Sequence, residues 1–142
     1  MPQELLPPLA ASPDLRVFIA ERSAHIRARM VSLLDRCAGV AYVGWAESVG
    51  ECIAGVRRTN PHGLVLDLQL VDGCALPALR ALRSDNPGLR VVVCATWATA
   101  QHEAACREAG AERLIDKATE FPELSNIVQA WVRSHGVRPV IH

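Results

Sequence analysis

The sequence predicts an α/β domain: a doubly wound, five-stranded parallel sheet of order 2-1-3-4-5 with helices on both faces. Three observations carry this. Five short apolar runs, at 15–20, 40–46, 64–67, 89–95 and 112–116, each precede a segment with helical spacing of apolar residues. Short loops join them, which implies βαβ units with right-handed crossovers. The middle run, Leu64-Val65-Leu66, is apolar without alternation, as in a strand buried on both faces.

Residues 1–14 are proline-rich, lack periodicity and read as a loose arm ahead of a domain spanning 15–136, with a tail at 137–142. The first strand, 15–20, runs into Glu21-Arg22, and Ser23 is placed to cap the helix that follows. Ile26, Met30, Leu33, Leu34 and Cys37 share one face of that helix. The second strand, 40–46, is weakened by Gly44. Val49, Cys52, Ile53 and Val56 mark a second helix, which stops before Asn60-Pro61. The third strand ends on Asp67, and a loop follows to the turn signal Asp72-Gly73.

Leu76, Leu79 and Leu82 outline the third helix, where Pro77 fits only in the first turn. After Asn86-Pro87-Gly88 comes the run 89–95, the most strand-like in the chain. An alanine-rich helix over 99–109 closes at Gly110. A short fifth strand delivers Lys117. Leu124, Ile127, Val128, Trp131 and Val132 then give the last helix its apolar face, and Gly136 ends it.

Composition narrows the function. The 142 residues carry 15 basic and 15 acidic side chains. That balance argues against a nucleic-acid partner or an anionic membrane surface, and no apolar run approaches a membrane span. Five scattered cysteines without a Cys-x-x-Cys read as reduced thiols of a cytoplasmic protein. The five histidines have no ligand spacing, and Cys74 sits beside an apolar helix rather than a phosphate-binding loop. Trp97 and Trp131 belong either to the core or to a partner face. Among the basic residues only Lys117 is a lysine, a compact point charge in a chain that otherwise uses planar guanidinium groups.

The predicted strand ends place Glu21, Asp67, Ala95 and Lys117 on the carboxyl edge of the sheet, where ligands of such folds bind. This constellation resembles the response-regulator receiver domain, the CheY-like phosphoacceptor module of bacterial two-component signalling, over about 15–135. The residues that carry the resemblance are Asp67-Leu68-Gln69-Leu70-Val71-Asp72-Gly73 and Gly110-Ala111 followed by Leu114-Ile115-Asp116-Lys117. It implies that Asp67 accepts a phosphoryl group from a histidine kinase or phosphotransfer protein, and that Lys117 contacts a phosphoryl oxygen. It implies a signalling module rather than an enzyme, with output to a protein through the fourth helix, fifth strand and last helix. The alanine-rich fourth helix is a candidate dimer surface. Few residues follow the last helix, so the module is expected to stand alone.

Four positions depart from the family pattern. The acidic pair after the first strand is reduced to Glu21, with Arg22 in place of the metal-binding acid. Ala95 stands where the family has Thr or Ser, and Thr96 should point away. Leu114 replaces an aromatic switch residue, and Ala118 replaces a proline. Glu21, Asp67, Arg22 and Lys117 sum to zero charge, so the expected pull on Mg²⁺ through Glu21 and Asp67 is weak or absent. Arg22 is expected to substitute for the metal by forking onto Asp67 or a phosphoryl oxygen. The alternative is a pseudo-receiver that keeps the fold as a phosphorylation-independent interaction module.

Overall fold

The structure, a computed structural model, describes residues 14–135. The N-terminal arm through residue 13, and Gly136 with the tail behind it, lie outside the described residues.

The elements follow in chain order as β1 (Leu15–Ala20), α1 (Ala24–Asp35), β2 (Val40–Ala46), α2 (Val49–Thr59), β3 (Gly63–Asp67), β4 (Gln69–Leu70), β5 (Gly73–Cys74), α3 (Leu76–Asp85), β6 (Arg90–Ala95), α4 (Ala100–Ala109), β7 (Arg113–Asp116) and α5 (Glu123–Ser134). The main sheet has the order β2-β1-β3-β6-β7, and every pairing in it is parallel. This is the expected 2-1-3-4-5 arrangement. β4 and β5 form a separate antiparallel ribbon, Gln69 opposite Cys74 and Leu70 opposite Gly73. The sequence shows only a loop there, because two-residue strands leave no periodicity to read.

Local chemistry explains the helix ends. Ser23, Ser48 and Thr99 each accept a hydrogen bond from the backbone amide three residues on, satisfying donors that have no intrahelical partner. Gly110 ends α4 in the left-handed region at φ 112°, where a side chain would be strained. Pro77 sits in the first turn of α3.

Alternate side chains of each central strand feed two cores. Phe18, Leu64, Leu66, Val91 and Val93 pack with Leu79, Leu82 and Cys106 on one face. Val17, Ile19, Val65, Val92 and Ile115 pack with Met30, Leu34, Leu124, Val128 and Trp131 on the other. Two of the aromatic residues, Phe18 and Trp131, lie against glycines. A Cβ on Gly55 would stand 2.5 Å from Phe18 Cζ, and one on Gly63 would stand 2.6 Å from Trp131 Cζ3. Bare backbone thus lets each ring seat a helix directly on the sheet. Four of the cysteines are buried and Cys74 is exposed on the ribbon, so Cys74 is not the packed residue its apolar neighbours suggest. Burial pushes the Cys52 thiol up to about 12 and raises that of Cys94 as well.

Candidate functional site

Three strands end at one edge and bring three charged side chains together. Asp67 is the last residue of β3, and Glu21 follows β1, its neighbour in the sheet. Lys117 follows β7, two strands from β3. Its backbone amide is held by the Ala95 carbonyl at 2.8 Å, and its side chain spans the end of β6 to reach the carboxylates. The ammonium donates to Glu21 Oε1 at 3.0 Å and to Asp67 Oδ2 at 3.1 Å. Side-chain exposure is 9% for Lys117, 0% for Glu21 and 4% for Asp67.

The remaining carboxylate oxygens are also occupied. Ser23 N donates to Glu21 Oε2 at 3.0 Å and Gln69 N to Asp67 Oδ1 at 3.1 Å. The triad carries one net negative charge in a nearly dry setting, where pairing is what makes burial tolerable. Burial raises the Glu21 pKa, with the Asp67 charge adding to it and the Ser23 amide and Lys117 opposing. Burial also works against the charge on Lys117, yet Asp67 and Glu21 together outweigh it and raise its pKa.

Arg22 requires a correction. Its residue is exposed, and among the described residues no hydrogen bond or ion pair joins it to Asp67. Ser23 turns its amide back onto Glu21, and the alternation that sends Glu21 inward sends Arg22 outward. The arginine that does reach this end of β1 is Arg27, whose Nη1 donates to the Glu21 carbonyl at 2.7 Å while its guanidinium lies 3.8 Å over the Trp45 ring. The signal for it was weak: Arg27 lies four residues beyond the Ser23 cap, on the same helical face. Ala95 is buried at the end of β6 and Thr96 is exposed, so no hydroxyl faces the triad from that strand. Leu114 is buried in β7 and lines a small hollow with Ala98, Glu103, Arg113 and Glu120.

The family pattern implies Mg²⁺ at this edge, and the donor set does not fit it. A hard dication needs several free oxygen ligands. Here all four carboxylate oxygens already accept from protein donors, and position 22 supplies a guanidinium. Among the described residues no group of three or more His, Cys, Asp and Glu could hold a metal ion.

Two residues near the site have geometry that the sequence does not reveal. Asp116 Oδ1 accepts from Ala118 N at 2.8 Å and Thr119 N at 3.3 Å, and its Oδ2 accepts from Ala98 N at 3.3 Å. A carboxylate bonding the amides two and three residues on is a turn device, and here it shapes the chain after Lys117 where the family has proline. Trp97 is a non-glycine residue at φ 63° and is 82% exposed, whereas Trp131 is buried.

A family model described as the response regulator receiver domain matches residues 17–129. A probable transcriptional regulatory protein, TcrX of Mycobacterium tuberculosis, is 33% identical over 119 residues, covering 81% of this chain and 49% of that protein. A protein-glutamate methylesterase/protein-glutamine glutaminase of Anaeromyxobacter dehalogenans is 31% identical over 112 residues, covering 78% of this chain and 31% of its own length. This chain therefore spans about half, or less, of those relatives. The crystal structure of a LuxR-family two-component response regulator from an Aurantimonas species superposes with a TM-score of 0.78 at 24% identity, covering 86% of this chain and 87% of that one. That likeness shows the fold. No helix among the described residues is long and apolar enough to cross a membrane.

Proposed function

The chain belongs to the response regulator receiver domain family, and from that premise we propose that Asp67 accepts a phosphoryl group from a histidine kinase or phosphotransfer protein with little or no help from Mg²⁺. The observation that carries the reading is the Lys117 ammonium held 3.1 Å from Asp67 Oδ2 and 3.0 Å from Glu21 Oε1. Phosphoryl transfer asks a protein for a placed nucleophile and for positive charge on the transferring oxygens. A carboxylate oxygen of Asp67 forms the new O–P bond as the donor's P–N bond breaks, and the bonding pair leaves with the imidazole nitrogen. Lys117 then exchanges one carboxylate oxygen for a phosphoryl oxygen, a shift its flexible stem permits. The carboxylates at the metal's usual place are already engaged by protein donors, so the ammonium is the main counter-charge.

The output partner is a protein bound through the α4–β7–α5 face, in the cytoplasm. The neutral overall charge supports a protein rather than a nucleic acid there, and the exposed indole of Trp97 stands at the head of that face. A second reading, a pseudo-receiver that never turns over phosphate, is favoured by two observations: Asp67 is only 3% exposed with both oxygens engaged, and Ala95 has no hydroxyl.

Intact-mass measurement after incubation with acetyl phosphate separates the two. The first reading expects a phosphoryl adduct that forms with or without Mg²⁺ and is absent from Asp67→Asn. No adduct under either condition selects the second. An adduct strictly dependent on Mg²⁺ contradicts the metal-poor site.

A further inference from the structure

We propose that Asp72 is a positioning residue for the phosphoacceptor: its carboxylate reaches from the tip of the β4–β5 ribbon to cap α2, and this clamp sets the Gln69 amide onto Asp67. The inference rests on the reading of Asp67 as acceptor and adds the element that holds it in register.

The start of α2 shows why a second element is needed. Ser48 and Glu51 cap the helix locally: Ser48 Oγ accepts from Glu51 N at 3.1 Å, and Glu51 Oε1 accepts from Glu47 N, one residue before the cap, at 3.4 Å. That leaves the first two amides of the helix, Val49 and Gly50, without a local acceptor. Asp72 Oδ1 takes Val49 N at 2.6 Å. Beside it, Val71 N donates to the Glu47 carbonyl at 3.0 Å. The ribbon tip is thus bonded to the β2–α2 turn through a side chain and through backbone. A carboxylate is the favoured group at a helix N-terminus, and the Val49 bond holds the Asp72 pKa below its ordinary value, so the clamp stays charged at neutral pH.

From that anchor the geometry runs back to the acceptor within five residues. Gln69 pairs with Cys74 across the ribbon, Ala75 N donates to the Leu68 carbonyl at 2.9 Å, and Gln69 N donates to Asp67 Oδ1 at 3.1 Å. With the ribbon fixed at its tip, one carboxylate oxygen is held by Gln69 and the other by Lys117. Without the clamp the ribbon's exposed end, where Val71 is 60% exposed, is free to swing, and the carboxylate loses its fixed attitude to an incoming donor.

Two variants cut the same bond from opposite ends. Asp72→Ala removes the acceptor. Val49→Pro removes the donor at the first helical position, where proline is well tolerated, and Ser48 already has the extended backbone (φ −124°, ψ 160°) that a following proline requires. The readouts are the rate of Asp67 phosphorylation by acetyl phosphate and amide hydrogen exchange at Gln69. Each variant is expected to slow phosphorylation about tenfold and to raise exchange at Gln69, with Leu66 and Val92 in the sheet still protected. The double variant is expected to match either single one, because the two act on one bond. Asp72→Asn keeps an acceptor suited to a helix cap and is expected to recover most of the rate. Unchanged Gln69 exchange in Asp72→Ala, or additive effects of the two variants, overturns the proposal. If the wild-type chain takes no phosphoryl group, the acceptor reading fails. The exchange arm alone then decides: lost protection at Gln69 in both variants supports the clamp, and retained protection overturns it.

Discussion

Two loops leave the sheet on the same side of the triad, and they are built differently. The β3–α3 loop, which follows Asp67, folds into its own ribbon and is bonded to Asp67, to the Glu47 carbonyl and to the first amide of α2. The β6–α4 loop follows Ala95, exposes Thr96, and carries Trp97 in the left-handed region with 82% of its surface in solvent. Among the described residues its tie to the site is the bond from Ala98 N to Asp116 Oδ2 at 3.3 Å. The first loop holds Asp67 in place. The second lacks the hydroxyl that would sense a charge placed on it. The β3 half of the site is thus more firmly held than the β6 half.

Lys117 joins both halves, its ammonium on Glu21 and Asp67 and its amide on the Ala95 carbonyl, and its removal has the largest expected effect. Lys117→Ala leaves Glu21 and Asp67 facing each other in a buried setting with no cation. Breaking a buried ion pair from one side costs about 3 kcal/mol or more, and we expect a loss near that size in urea unfolding at neutral pH. Adding Glu21→Gln in the same chain removes the like-charge repulsion and should restore part of it. A loss below about 1 kcal/mol, the range of exposed pairs, would mean that water reaches the triad and that the closed site is drawn too tightly.

How much of this was legible in the sequence follows the same division. Asp67, Glu21 and Lys117 were legible because each ends a strand, and strand ends are marked by turns and by a switch from period two to helical spacing. The bounds of β1, β2 and α2 match expectation for the same reason. Arg22 was misplaced because charge counting ignores side-chain direction: one residue past Glu21 the chain points outward. Asp72 read as a turn former, since nothing local shows that its carboxylate serves a helix twenty-three residues earlier. The left-handed backbone at Trp97 was equally invisible, because a bulky aromatic is among the last residues expected there.

Glu21 gives a smaller effect, with a sign that tests the charge balance of the triad. Its folded pKa is raised above 4.5, chiefly by burial. The native state therefore binds a proton more readily than the unfolded chain. The stability this group contributes is full below its unfolded pKa and is lost as pH rises through the folded value. Lys117, whose pKa is also raised, contributes stability that persists until pH climbs past 10.5 toward its folded value, so it does not confuse the acid window. Between pH 4.5 and neutrality, wild-type stability should fall relative to Glu21→Gln, by at most about 1.4 kcal/mol per pH unit for one proton. Parallel stability curves for the two chains across that window would show that burial does not disfavour the Glu21 charge.

The smallest expected effect lies in the second loop, and it has the opposite direction. A bulky residue in the left-handed region costs on the order of 1 kcal/mol, and Trp97 recovers little of that by packing, being 82% exposed. Asparagine accepts this backbone geometry far more readily. Trp97→Asn is therefore expected to raise stability by several tenths of a kcal/mol, up to about 1, measured as a shift in the unfolding midpoint with the slope unchanged. The gain matters because of what it says about the indole. If replacing it stabilises the isolated chain, folding does not require tryptophan there, and the exposed ring remains available to the partner face proposed above. A loss of stability instead would show that Trp97 packs against its own domain, and the contrast between a fixed acceptor loop and an unsupported reporting loop would collapse.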